Sequence, residues 1–212
     1  MFFICVHIHF SFSFFSLYHG GMRFQGFFRV VLLGGILLLV ACGKGGGGVA
    51  CHERYWDSVF GTCLPSGWKS IDPISLRSRL VPDDVIAVFQ ADQFASNQIP
   101  TVIVTKEILV RDWDAASYSD ASIKSVQTLV GYALLDERDV TVDDEKVRLH
   151  TFSAQPIPEE PVKRFYQLST VVRRVGYTVT ATLPLSPERD LEKQVLFILD
   201  GVTFRSAPRL VP

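Results

Sequence analysis

Apolar and polar positions from residue 64 onward alternate between strand-like and helix-like periods. The β-branched, apolar runs 85–90 and 101–110 are bounded by Pro82, Asp83 and Pro100, which predicts two strands. In residues 177–183 four apolar side chains alternate with three threonines, a pattern typical of a strand with one buried face. Similar runs predict four more strands, at 132–135, 140–142, 146–154 and 163–173.

A 3.6-residue period predicts two helices. In the first, Ser119 is the expected N-cap and Gly131 the stop, and in the second Ser186 is the N-cap, Pro187 follows it and Gly201 ends the helix. Their apolar faces contain Ile123, Val126, Leu129 and Val130, and Leu191, Val195, Ile198 and Leu199. The element order predicts an α+β fold with a twisted, mainly antiparallel sheet flanked by helices.

Residues 22–41 have the layout of a secretory signal, with basic residues, an apolar run at 30–40 and Ala41 before Cys42. The run is shorter than the roughly 20 residues that a membrane-spanning helix needs. An uncleaved helix that begins near Phe24 is the alternative. Residues 1–21 are interpreted as an upstream extension from a mis-chosen start codon.

The motif Leu39-Val40-Ala41-Cys42 resembles the lipobox of bacterial lipoproteins. The resemblance implies cleavage between Ala41 and Cys42 and a diacylglyceryl group on the Cys42 sulfur. A Gly-rich tether follows, so we expect a domain anchored to the extracytoplasmic side of a bacterial membrane, with inner and outer membrane both open. The alternative is that Cys42 only ends a hydrophobic helix.

Cys51 and Cys63 lie 12 positions apart, and an exported pair of this kind predicts a disulfide. Free thiols, a redox-active pair and a zinc site that includes His52 are the alternatives. The expected organisation is therefore an extension (1–21), a signal peptide (22–41), a lipidated cysteine with its tether (42–50), a disulfide-closed entry loop (51–63), the main domain (64–206) and a tail (207–212).

Five short segments of the main domain and its closing helix follow the order of a known superfamily. The segments are 64–69 (Leu-Pro-Ser-Gly-Trp-Lys), 94–97, 101–104, 166–167 and 176–182. They resemble the PsbP-like superfamily, which includes the photosystem II subunit PsbP and the Ran-binding protein Mog. The resemblance implies an α-β-α sandwich that serves binding or assembly without a shared catalytic centre, and no functional residue is carried over from it.

Composition and motifs exclude several classes of function. The 21 basic and 22 acidic residues argue against a nucleic-acid partner. Neither a phosphate-binding loop nor a nucleophile elbow is present in the sequence. His150 is expected to be a solvent-facing or hydrogen-bonded strand residue. We therefore expect no enzyme, no cofactor and no metal site.

Each charged cluster can be interpreted either as solvated surface or as a binding site. The acidic groups 136–137, 139, 143–145 and 159–160 are expected mostly in solvated turns, with calcium binding as the alternative. A second turn is predicted at 174–176. Lys163, Arg164, Arg173 and Arg174 predict a basic patch near one hairpin, which is either a solvated face or a contact for anionic lipid.

Trp56, Trp113, Arg173 and Arg174 are the candidate partner surface, although core packing is the competing interpretation for both tryptophans. The function expected from the sequence is a non-enzymatic protein-binding or assembly module, anchored to the membrane and bound to an unknown envelope component. The alternative is an envelope protein that binds a small molecule or a metal ion.

Overall fold

A computed structural model describes residues 48–72, Ser75 and 82–205. Within these residues nine strands and two helices are described from end to end, and Ser75 is also helical. The strands are β1 (Glu53–Trp56), β2 (Gly61–Leu64), β3 (Trp68–Ser70), β4 (Val85–Ala91), β5 (Thr101–Ile108), β6 (Ala133–Val142), β7 (Glu145–Ala154), β8 (Lys163–Val172) and β9 (Val175–Pro184), and the helices are α1 (Ala115–Val126) and α2 (Arg189–Asp200).

Seven strands form one sheet in the order β3-β4-β5-β9-β8-β7-β6, and every neighbouring pair is antiparallel. Strands β1 and β2 form a separate two-stranded sheet. The predicted mainly antiparallel α+β fold is confirmed.

The two helices lie on opposite faces of the large sheet. On one face Ser169 of β8 donates a hydrogen bond to Ser122 of α1 at 2.8 Å. Tyr166, three residues earlier in β8, donates to Glu192 of α2, and an odd spacing along a strand reverses the face. The larger core lies on the α2 face, whereas the smaller cluster on the α1 face centres on Phe152 and Phe165. The predicted α-β-α sandwich is therefore present.

Both helices start at other residues than the sequence predicts. Asp114 is the N-cap of α1, and its carboxylate accepts a hydrogen bond from the Ser117 amide at 2.6 Å. Ser119 is not a cap but a buried residue of the helix, where its hydroxyl accepts from the Arg148 amide. Helix α2 begins after Glu188, which makes no side-chain cap bond, so Ser186 lies outside it.

Two-residue turns close the β6–β7 and β8–β9 hairpins. Arg173 and Arg174 have φ of 51° and 65°, and Asp143 and Asp144 have φ of 50° and 74°. Two successive positive φ values are what type I′ hairpin turns require, because their twist matches that of the flanking strands. The turn predicted at 174–176 lies at 173–174 in the structure, and Gly176 belongs to β9.

Strand β6 is continuous where two short strands were expected. It carries Asp136, Glu137 and Asp139, which are strand residues and not turn residues, a correction to the sequence interpretation. A register shift between Leu134 and Asp136 marks a bulge. β6 forms one edge of the sheet, so among the strands that the structure describes it has a partner on one side only.

Gly176 is required by close packing against α1. A Cβ atom at this position would fall less than 3.0 Å from the Tyr118 ring. We expect Gly176→Ala to lower the free energy of unfolding by about 1–3 kcal/mol, the usual cost of overpacking. Urea denaturation measures the loss, and Tyr118→Ala in the same chain should relieve it. Strictly additive effects of the two substitutions would contradict this explanation.

Candidate binding site

A pocket of about 540 Å³ opens at one end of the large sheet. Three loops form its walls: 65–67 before β3, 92–100 between β4 and β5, and 185–188 between β9 and α2. The first turns of α2 complete it. Because the loops are far apart in sequence, the pocket exists only when the strand order of the sheet is in place.

The 92–100 loop has a defined conformation. The Asp92 amide donates to the Gly67 carbonyl at 2.8 Å, which joins this loop to the one before β3. Ala95 and Gln98 exchange two backbone hydrogen bonds of 2.7 and 2.9 Å, and both residues between them have positive φ. This tight turn leaves Phe94 at the pocket rim with 67% of its surface exposed.

The charged residues that line the pocket are all acidic, namely Asp92, Glu188 and Asp190. Lys69 lies 2.9 Å from Asp92, and Lys193 lies at the same distance from Asp190. The hydrogen bond from Lys193 lowers the pKa of Asp190 below its ordinary value. Two of the three carboxylates are therefore paired, and Glu188 complements the positive end of the helix dipole.

A buried tryptophan holds Gln194, one of the residues that line the pocket. The indole of Trp68 is 3% exposed and donates to the Gln194 side chain at 2.9 Å. This bond fixes α2 to the first strand of the sheet. The hydroxyl, amide and carboxylate groups around the opening can hold a small polar molecule. Among the described residues, no group of three His, Cys, Asp or Glu side chains is arranged to hold a metal ion.

A second polar cluster lies on the α1 face. His150 is fully buried, with its Nε2 3.1 Å from the Tyr132 hydroxyl and its Nδ1 3.3 Å from Glu137. Burial lowers the pKa of His150, and Glu137 opposes this effect only in part. Gln167, the cross-strand neighbour of His150, is also buried, and its carbonyl oxygen has no partner within the described residues.

The buried His150 predicts a loss of stability in mild acid. Because its pKa in the folded state is below the ordinary value of 6.5, the unfolded chain binds the proton more readily. The stabilising contribution is complete above about pH 6.5 and is lost as the pH falls through the folded pKa. The free energy of unfolding, measured by urea denaturation between about pH 5 and 7.5, should show this slope, and His150→Gln should remove it. An equal slope in the variant would contradict the assignment.

The structure describes the two cysteines of the predicted disulfide, whereas the predicted lipidation site lies outside the described residues. Cys51 and Cys63 form a disulfide with their Cα atoms 5.4 Å apart, as predicted. Ala41, Cys42 and the apolar run before them lie outside the described residues. No helix within the described ranges is both long and apolar enough to cross a membrane.

The predicted partner residues lie in three parts of the chain, namely β1, the segment before α1 and the β8–β9 turn. Arg174 pairs with Asp112 at 2.9 Å, which brings the β8–β9 turn next to Trp113. The Arg111 guanidinium covers the Trp113 ring at 4.1 Å from its centroid. Trp56, half-buried at the end of β1, is the cross-strand partner of Gly61 in the small sheet.

The predicted basic patch is not formed. Lys163 and Arg164 begin β8, whereas Arg173 and Arg174 follow its last residue, so the strand separates the two pairs. A ten-residue strand spans about 33 Å. Lys163 and Arg164 also pair with Glu160 and Glu192 near the pocket end of the sheet. The four basic residues therefore lie in two pairs at opposite ends of the sheet.

Sequence reasoning missed the pocket. The segments that form it, such as Pro-Ser-Gly at 65–67 and Ser-Asn at 96–97, contain ordinary turn residues. Their composition indicates loops but does not show which loops meet. The local signal that could have been used is Phe94, a large aromatic side chain in a loop rich in turn residues.

The fold and pocket define an α-β-α sandwich domain with an open, mainly polar site. Its solved structural neighbours include LpqN, involved in cell envelope biogenesis of Mycobacterium tuberculosis, with a TM-score of 0.50, 13% identity and coverage of 78% of this chain and 88% of LpqN. They also include cyanobacterial PsbP from Synechocystis sp. PCC 6803 (TM-score 0.48, 16% identity, 74% of this chain and 95% of that one) and the Saccharomyces cerevisiae Ran-binding protein Mog1p (0.46, 12%, 72% and 95%).

These similarities concern the fold alone, because the sequence identities are 16% or lower. No protein-family model matches the sequence, and no curated protein matches it.

Proposed function

We propose that the chain is a membrane-anchored bacterial lipoprotein whose extracytoplasmic domain is a non-enzymatic protein-binding module. The observation that carries the binding role is the exposure of Ile108 and Val110, at 83% and 95%, beside the half-buried Trp113. Large apolar side chains so exposed and only two residues apart are typical of a contact surface.

These residues belong to a surface with internal order. We define the distal surface as residues 108–113 together with Arg173 and Arg174. The Leu109 amide donates to the Arg174 carbonyl at 3.0 Å, and the Arg174 side chain pairs with Asp112. Tryptophan and arginine are the side chains most enriched among residues that dominate binding energy. The distal surface thus combines apolar anchors with an arginine held in place.

The anchor rests on the lipobox and on two supporting features. A disulfide between Cys51 and Cys63 is suited to an oxidising compartment outside the cytoplasm. Residues 43–50 contain five glycines, so this tether spans about 15 Å on average. An envelope role is named for LpqN, and we extend it to this chain as part of the proposal.

The anchor is tested by the intact mass of protein extracted from bacterial membranes. We expect a chain that begins at Cys42 and carries acyl mass, and we expect Cys42→Ala to lose that mass together with membrane retention. An uncleaved, unacylated chain that stays in the membrane would overturn the lipoprotein assignment.

The binding role is tested by a photocrosslinking residue at Val110, with Asp139 as the matched control. Asp139 is also exposed but lies on strand β6, away from the distal surface. In native membranes Val110 should give one discrete adduct that Trp113→Ala and Arg174→Ala weaken. Identical adducts from both positions, or none from Val110, would count against the proposal.

The pocket favours a second candidate, an envelope protein that binds a small polar molecule. A ligand at one hundred times its Kd should stabilise the fold by about 2.7 kcal/mol. Thermal unfolding against a panel of metabolites and metal ions measures this effect. Ser186→Trp at the pocket rim should abolish any shift that arises there and leave an unrelated shift unchanged.

A further inference from the structure

Five strongly or partly exposed apolar side chains lie on loops at the pocket end of the sheet. They are Phe94 and Ile99 between β4 and β5, Val130 before β6, Ile157 between β7 and β8, and Leu185 before α2. We call loops 92–100, 127–132, 155–162 and 185–188 together the loop end.

Strand register shows that these loops share one end of the sheet. Thr101 opposes Gln90 and Thr182, and Lys163 opposes both Pro184 and Ala154. At the far edge Ala133 opposes Ser153. The loops from β4 to β6 are thus spread over five strand spacings, or about 24 Å. They form a broad rim and not a narrow groove.

Ion pairs neutralise much of the charge at the loop end. Four basic residues near these loops each form an ion pair with a carboxylate. Each carboxylate lies either in one of the loops or in the first turns of α2. The pairs are Lys69–Asp92, Lys163–Glu160, Arg164–Glu192 and Lys193–Asp190. The loop end itself contains no Lys or Arg, and Glu159 and Glu188 are its carboxylates outside these pairs. A rim of apolar side chains with little unpaired charge fits the interface of a zwitterionic lipid bilayer, whereas a polyanionic partner would require a basic excess.

The amino-terminal chain joins the domain near this rim. Cys51 is bonded to Cys63, and the His52 amide donates to the Leu64 carbonyl at 2.9 Å. Leu64 is followed directly by the pocket loop 65–67. Eight residues separate Cys51 from Cys42, so an anchor on Cys42 would hold Cys51 about 15 Å from the lipid on average.

We infer that the loop end docks on the membrane surface, with Phe94 and its apolar neighbours at the lipid interface. This inference rests on the proposed anchor at Cys42. Aromatic and aliphatic side chains enter the headgroup region favourably, and the tether supplies a high local concentration of lipid. The distal surface, about 33 Å away along the strands, faces away from the membrane.

The test uses the full, acylated chain reconstituted into phosphatidylcholine vesicles with brominated or ordinary acyl chains. Phe94→Trp places a fluorescent reporter at the loop end, and Val110→Trp places one at the distal surface. After subtraction of the wild-type emission, brominated lipid should quench the Phe94→Trp reporter by about twofold and leave the Val110→Trp reporter unchanged, because bromine quenches only on contact within the membrane.

Equal emission of the Phe94→Trp reporter in both vesicles would overturn the docking inference. If this reporter is protected from aqueous iodide as well, a second copy or another protein covers the loop end and the inference also fails. Acyl mass and vesicle retention are read separately on the same samples. A chain that lacks both overturns the proposed function, whereas a retained chain without quenching overturns the docking alone.

Discussion

Replacement of Phe60 by alanine should lower the free energy of unfolding by about 3–5 kcal/mol. Phe60 is fully buried, and its ring packs against three other rings, with centroids 6.2 Å from Tyr55, 6.2 Å from Phe89 and 5.6 Å from Phe204. These partners belong to the small sheet, to β4 and to the segment after α2. The cavity would therefore loosen three parts of the core at once.

Urea denaturation followed by circular dichroism measures this loss, and Phe94→Ala is the matched control. The control removes the same ring from an exposed site, where we expect a change within about 0.5 kcal/mol. Equal midpoints for the two variants would show that the small sheet does not unfold together with the rest of the domain.

The double substitution Cys51→Ala with Cys63→Ala should remove about 3 kcal/mol of stability. The bond closes a loop with a sequence separation of 12, and the chain-entropy relation gives a value of this size for such a loop. The loop contains β1 and all of β2 except its last residue, so its release also frees Phe60 and its neighbours to separate. Unfolding in urea, with and without a reductant, measures the effect.

The reductant should destabilise the wild-type protein to the level of the double variant and should not affect the variant. If the reductant lowers the stability of both proteins equally, it acts elsewhere. If neither protein changes, the loop is held by its core contacts alone.

Strands β4, β5, β7, β8 and β9 and the body of α2 could be predicted because their residues have a clear periodicity, whereas β1, β2 and β3 are too short to show one. In α2, Val195, Ile198 and Leu199 recur at helical spacing and are all buried. The start of α1 could not be predicted, because its first turn, Ala115-Ala116-Ser117, has no apolar stripe, and Asp114 caps it from within an Arg-Asp-Trp-Asp segment. Polar helix faces leave the sequence ambiguous.

The candidate sites differ in how far the sequence determines them. The Cys51–Cys63 bond was predictable because both partners lie in one short segment. The pocket depends on the approach of loops 65–67, 92–100 and 185–188, which is set by the pairing of β3 with β4 and of β5 with β9. Local residue patterns contain no information on such long-range register.

Strand β6 has a consequence for copies that share a membrane. Lipid-anchored proteins diffuse in two dimensions and meet side by side, which favours the joining of open sheet edges into continuous assemblies. The open edge of β6 carries the charged run Asp136-Glu137-Arg138-Asp139 and a bulge, and both features oppose strand addition. With the proposed anchor, the edge strand would therefore oppose the joining of crowded neighbours into continuous sheets.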